Sequence, residues 1–179
     1  MTEVVDLEKA RLDMAVNRGY RNWKTRFKED FGTQTKLAHL SLETLTFLAG
    51  GKGKSTFYLF DLIMGIEGLG SGFEFHDLES AKKIAVMDRY IFLLDKVRFE
   101  YMKRLGWLEG YPGEEYTLVE LILQYDRIGA NLQVGASKLA KTHPGYDTFC
   151  GMNAFEKEEF LRKLMTKAIK EIDDHSTTL

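Results

Sequence analysis

Residues 77–105 read Asp-Leu-Glu-Ser-Ala-Lys-Lys-Ile-Ala-Val-Met-Asp-Arg-Tyr-Ile-Phe-Leu-Leu-Asp-Lys-Val-Arg-Phe-Glu-Tyr-Met-Lys-Arg-Leu. Ile84, Met87, Ile91, Leu94, Val97, Tyr101 and Leu105 recur at three- and four-residue steps, which puts them on one side of an α-helix. Phe92, Phe99 and Met102 open a second apolar face. A helix wetted on one side needs only one such face, so this one is expected to be touched by neighbours from several directions. At 1.5 Å per residue it spans roughly 40 Å, the width of a small domain. The rest of the chain is read as packing around it.

Outward from that helix, other segments show the same period. Val5, Leu12, Val16, Tyr20, Trp23, Phe27 and Phe31 form a stripe that predicts a first helix from about Val4 to Phe31, stopped by Gly32. Gly19 inside it predicts a kink or a close helix contact. Ser41 is placed to cap a short helix over 42–49, ended by Gly50. Ser55 or Thr56 is placed to cap another, running to about Glu67 and apolar nearly all round. Gly68, Gly70 and Gly72 break the chain before Asp77, read as the cap of the central helix.

Tyr111-Pro112-Gly113 reads as a turn. Thr117–Glu120 and Asn153–Glu156 have capping-box spacing. The first opens a helix expected to run to about Ala140. The second opens a last helix to about Asp173, with Leu161, Leu164, Ala168 and Ile172 on its apolar side. No stretch reads as a strand. The expectation is an all-α, single-domain bundle of about six helices over residues 1–173, with a frayed tail at 174–179.

Composition agrees. Leu outnumbers Val and Ile together and there are two prolines, which favours helix over strand. The 44% hydrophobic content is ample for a core in 179 residues. A net charge of −2 gives no general attraction to nucleic acid or anionic lipid. The longest apolar run, 57–66, is half a membrane span and carries Asp61, so no transmembrane helix is expected. The N-terminus lacks the pattern of a signal peptide, and one cysteine cannot form an internal disulfide. Together these read as a cytoplasmic protein.

One motif carries chemistry. Leu48-Ala-Gly-Gly-Lys-Gly-Lys-Ser-Thr56 resembles a phosphate-binding loop, and its double glycine resembles the variant loop of the ParA/MinD class of ATPases. The resemblance spans about seven residues. It implies backbone N–H groups at Gly53 aimed at phosphate, Lys54 on a β- or γ-phosphate, and Ser55 on magnesium. Residue 48 is Leu where the motif has its first Gly, and residue 49 is Ala where the variant has its extra Lys. The motif also needs a strand before it, whereas a capped helix precedes it here. What remains is a basic loop at a helix N-terminus, where Lys52, Gly53, Lys54, Ser55 and Thr56 could hold an anion.

Other ionisable groups have a bland reading beside the functional one. Asp61, inside an apolar helix, is expected to be buried and paired, with Arg89 or Arg98 as partner. Asp95 has the same two readings. Glu74, His76 and Asp77 lie close together, as do His39 and Glu43, without the spacing of a metal motif. His143, Asp147 and Cys150 share one loop, where Cys150 is read as a small half-buried side chain. Arg18, Arg21, Lys24, Arg26 and Lys28 form a basic flank on the first helix.

No catalytic set and no cofactor is assigned. The functional expectation is a non-enzymatic helical interaction protein with a protein partner or a second copy. Phosphate or nucleotide binding at 50–56 is the alternative, and nucleic-acid binding a distant one. Trp23, Phe27, Phe31, Tyr58, Phe73, Phe75 and Trp107 are candidates for exposed aromatic surface.

Overall fold

The structure, a computed structural model, describes the backbone of residues 2–176 and the side chains of residues 6–174. It is all-α. Helix α1 spans Thr2–Phe27 and buries Val16, Tyr20 and Trp23. It stops four residues earlier than the stripe predicts. Lys28 takes a left-handed conformation, φ +56°, which halts the helix and reverses the chain. Phe31 then returns from the loop to stack on Tyr20, with ring centroids 5.3 Å apart. The apolar spacing is right about the burial of Val16, Tyr20, Trp23 and Phe31 and wrong about Leu12, which is exposed, and about the helix end; the side chain of Val5 lies outside the described residues.

A 3-10 turn at Leu37–His39 leads to α2 (Leu42–Ala49), whose first turn is capped by Ser41 accepting from the Thr44 amide. Helix α3 spans Lys54–Glu67. Gly53, not Ser55 or Thr56, occupies its N-cap position, with φ +56°. Gly68 closes it in the left-handed region. Helices α1 and α3 run antiparallel in close contact. Trp23 Nε1 donates to Tyr58 O, Asn22 to Asp61 and Arg18 Nε to Gly65 O. Gly19 marks the close approach that its position in the stripe suggested: a Cβ on Gly65 would lie 2.5 Å from Gly19 Cα.

The 3-10 turn Gly72–Asp77 precedes the central helix α4, Ser80–Arg104. Asp77 ends that turn instead of capping the helix, and Glu79 takes the cap position. Neighbours meet α4 on several sides. Tyr90 stacks on Phe60 of α3, and Arg98 donates to the last carbonyl of α2. Its C-terminal half is buried on both expected faces. In the N-terminal half the buried line is Val86, Tyr90 and Leu93, while Ile84 and Ile91 are 63% and 53% exposed.

Strand β1 (Leu108–Gly110) follows, then α5 (Leu118–Leu123), opened by the Thr117–Glu120 capping box. The expected single helix to residue 140 does not form. The chain breaks into α6 (Tyr125–Ile128) and 3-10 turns at Gly129–Asn131 and Val134–Ala136. It ends in β2 (Lys138–Leu139), antiparallel to β1 with Leu108 opposite Leu139. Helix α7 (Tyr146–Cys150) forms where the sequence predicts a loop. The last helix, α8, spans Ala154–Ser176 and takes up the first three residues of the expected tail. Residues 177–179 lie outside the described residues. One continuous apolar core joins α1 to α8 around α4. Among the described residues no helix is long and apolar enough to cross a membrane.

Candidate functional site

The Gly-Lys loop is an interhelix turn between α2 and α3. Ser55 Oγ accepts from the Lys52 amide and donates to the Lys52 carbonyl, both at 2.9 Å, which closes the turn on itself. Ser55 is buried, so the hydroxyl that the motif would offer to magnesium is already used. Thr56 shares a hydrogen bond with Tyr90 across the α3–α4 contact. Lys52 reaches Asp173 of α8 at 3.4 Å with both side chains well exposed, a pair of small energetic weight. Lys54 is exposed in the first turn of α3. The five residues therefore divide: Lys52, Gly53 and Lys54 face solvent, while Ser55 and Thr56 hold the loop to the body.

Arg98 explains one of the glycines before them, Gly51. Its Nε donates to Ala49 O at 2.9 Å, setting a cation against the C-terminal end of α2. A Cβ on Gly51, at φ +64°, would lie 2.6 Å from the Arg98 guanidinium. Burial pulls the Arg98 pKa below its ordinary value, while Asp95 opposes the shift. Gly51 makes room for this contact.

Asp61 is buried as expected, but neither arginine meets it. Its carboxylate accepts from Asn22 Nδ2 at 2.8 Å and from the Gly72 amide at 3.0 Å, tying α1 and the 72–77 turn to α3. Arg89 goes instead to Glu67 and Asp126. Burial raises the Glu67 pKa, and Arg89 opposes that rise. Asp95 accepts from Arg162 of α8 at 2.8 Å.

Lys96 and Glu100 carry no sequence expectation, yet with Asp61 they are the charged residues buried among the described residues. Lys96 is 1% exposed. Its Nζ donates to Leu132 O at 2.9 Å and sits near the rings of Phe92 and Phe99. Burial lowers its pKa to about 8, against the pull of Asp95 and Glu115. It lines a cleft of about 380 Å³ with Phe92, Gln133 and Arg162. The ammonium group holds the broken 129–134 segment onto α4. Glu100 accepts from the Tyr111 hydroxyl at 2.8 Å and from Arg104. The available signal was spacing, since Lys96 stands four residues after Phe92 and three before Phe99 on the second apolar face.

The 143–150 loop does not assemble a thiol site. His143 Nδ1 accepts from the Gly145 amide, and its ring meets the edge of Phe160. Cys150, expected half-buried, is exposed at the end of α7. Among the described residues no three metal-ligating side chains converge.

Trp23, Phe27, Phe31 and Tyr58 pack into one aromatic cluster with Phe47. Phe73 is 80% exposed, resting on Phe57. The basic flank of α1 is partly engaged: Arg18 binds a carbonyl of α3 and Arg26 lies over Phe47. On α1 before Val16, Leu7, Leu12 and Met14 are 55%, 37% and 66% exposed, while Asp13 and Ala15 are half-buried.

No family model, no curated protein and no solved structure matches the chain.

Proposed function

We propose that the protein is a non-enzymatic helical interaction protein, an adaptor or subunit, that docks through the N-terminal arm of α1. The observation that supports this reading is the exposure of Leu7, Leu12 and Met14 on the segment of helix that precedes Val16. Exposed apolar side chains gathered on one helix segment are the usual mark of a surface awaiting a partner. The nucleotide alternative has less behind it. Ser55 and Thr56 are held within the protein, and a helix, not a strand, leads into the loop. In the nucleic-acid alternative, Arg18 and Arg26 keep their charge but commit part of each guanidinium to internal contacts.

The test is affinity purification from the source cell with tagged wild type and with the Leu7→Asp/Met14→Asp variant. Wild type is expected to retain a stoichiometric partner, either another protein or untagged copies of this chain, and the variant to lose it. Equal recovery with both forms would remove the arm from the function.

A further inference from the structure

The arm carries information about its partner as well as an apolar face. Leu7 and Met14 are seven residues apart with Ala10 between them, which is the a, d, a spacing of a heptad. This seam lies half a turn from Val16, Tyr20 and Trp23, the face that α1 commits to the core. A second helix can therefore lie along it with both protein bodies on the outside. All three seam residues are exposed.

The flanking charges distinguish the possible occupants. Asp6 and Asp13 precede the two a positions, so they fall at g. Arg11 and Arg18 fall at e. In a parallel pair, g of one helix meets e of the following heptad on the other. That sets Asp6 against the partner's Arg11 and Asp13 against the partner's Arg18, opposite signs both times. An antiparallel pair sets g against g and e against e, aspartate on aspartate and arginine on arginine. Arg18 uses Nε on the Gly65 carbonyl, and that bond does not involve its terminal nitrogens.

We infer that α1 pairs with α1 of a second copy of this chain as a short, parallel, in-register coiled coil seamed by Leu7, Ala10 and Met14. The inference rests on the docking role of the arm proposed above and names its occupant. Two heptads with one alanine and Asn17 at the d positions make a weak seam, so the dimer is a reversible one. Like charges across the alternative register act against the antiparallel arrangement.

The experiment uses the full chain with Cys150→Ser, which removes the exposed native thiol. Ala10→Cys places one thiol opposite its own copy in a parallel pair, so mild oxidation is expected to give a disulfide-linked dimer. Analytical ultracentrifugation over a concentration series is expected to show monomer–dimer exchange. Asp6→Lys sets like charges across both symmetry-related contacts and weakens the dimer about fivefold. Asp6→Lys combined with Arg11→Asp restores it.

A chain that stays monomeric throughout, or a charge reversal without effect, overturns the second-copy assignment. So does a dimer that Ala10→Cys fails to cross-link. If the chain is monomeric but the Leu7→Asp/Met14→Asp variant still loses a different protein from the cell, the docking role stands and only the occupant is wrong. If neither is seen, both fall.

Discussion

Lys96 shows what a single charge costs in this core. Its ammonium group has a carbonyl at 2.9 Å and two aromatic faces, and burial still lowers its pKa to about 8 from 10.5. Asp95 and Glu115 pull the other way, with Arg162 a lesser opposing cation. Below pH 8 both the folded and unfolded chains carry the proton, and the folded state bears the full penalty. Between about 8 and 10.5 the unfolded chain holds a proton that the folded chain has released, so stability rises with pH. Above that window the penalty is gone. The interval corresponds to roughly 3 kcal/mol. Lys96→Met keeps the length of the side chain and removes the charge, at the loss of one hydrogen bond worth about 1 kcal/mol. The variant is therefore expected to be about 1–2 kcal/mol more stable than wild type at neutral pH. Urea denaturation should show this margin vanishing by pH 10. A margin that does not change with pH would mean that the amine is not buried as a charge.

At the scale of elements, the α1–α3 contact depends on two glycines meeting. A Cβ at residue 65 would fall 2.5 Å from Gly19 Cα and 2.8 Å from its nitrogen, and these are backbone atoms that cannot swing aside. Gly65→Ala gains about 1 kcal/mol of helix propensity, but it forces the helices apart. A net loss of about 3 kcal/mol is expected, seen as a fall of roughly 10 °C in thermal midpoint. A midpoint at or above wild type would show that the contact is loose. Gly19 was legible in the sequence because an interior glycine in a strong apolar stripe needs a reason. The Ser41 cap, the capping boxes at 117 and 153, and the end of α3 at Glu67 were legible for a similar cause, since each signal is local, whereas the start of α3 was not, because Gly53 takes the cap position instead of Ser55 or Thr56. The end of α1 was not legible. Lys28 adopts a conformation that its residue type does not advertise, and the Phe31 spacing suited both a longer helix and a returning loop. The β1–β2 pair was hidden by its shortness and by its dependence on segments about 30 residues apart. The 118–140 stretch kept helical spacing while Gly129 and Gly135 sat in broken turns held by tertiary contacts such as the Lys96 bond. In the Gly-Lys loop, the exposed lysines were legible and the inward turn of Ser55 was not. Lys96 was overlooked because a lysine in a charged helix reads as solvated unless its flanking rings are counted.

For the molecule as a whole, the core begins part-way along α1. Val16 is 2% exposed, Tyr20 and Trp23 are fully buried, and from there every helix leads back to α4. The arm before Val16 adds length without adding to that core. Folding and association should therefore be separable, which is the physical content of the adaptor proposal. Deleting residues 2–14 removes Leu7 and Met14 but none of the side chains of α1 that are buried among the described residues. The body is expected to keep its thermal midpoint within about 2 °C, because surface segments without buried contacts contribute little to stability. The same deletion is expected to abolish concentration-dependent dimerisation in the ultracentrifuge. Extending the deletion through Trp23 should prevent folding altogether, since it strips the indole from under Tyr58 along with the Tyr20–Phe31 stack. If the shorter deletion lowers the midpoint by many degrees, the arm lies against the body and its apolar residues serve the fold. If the midpoint holds while association is lost, the two halves of one helix carry two tasks, with Val16 as the boundary between them.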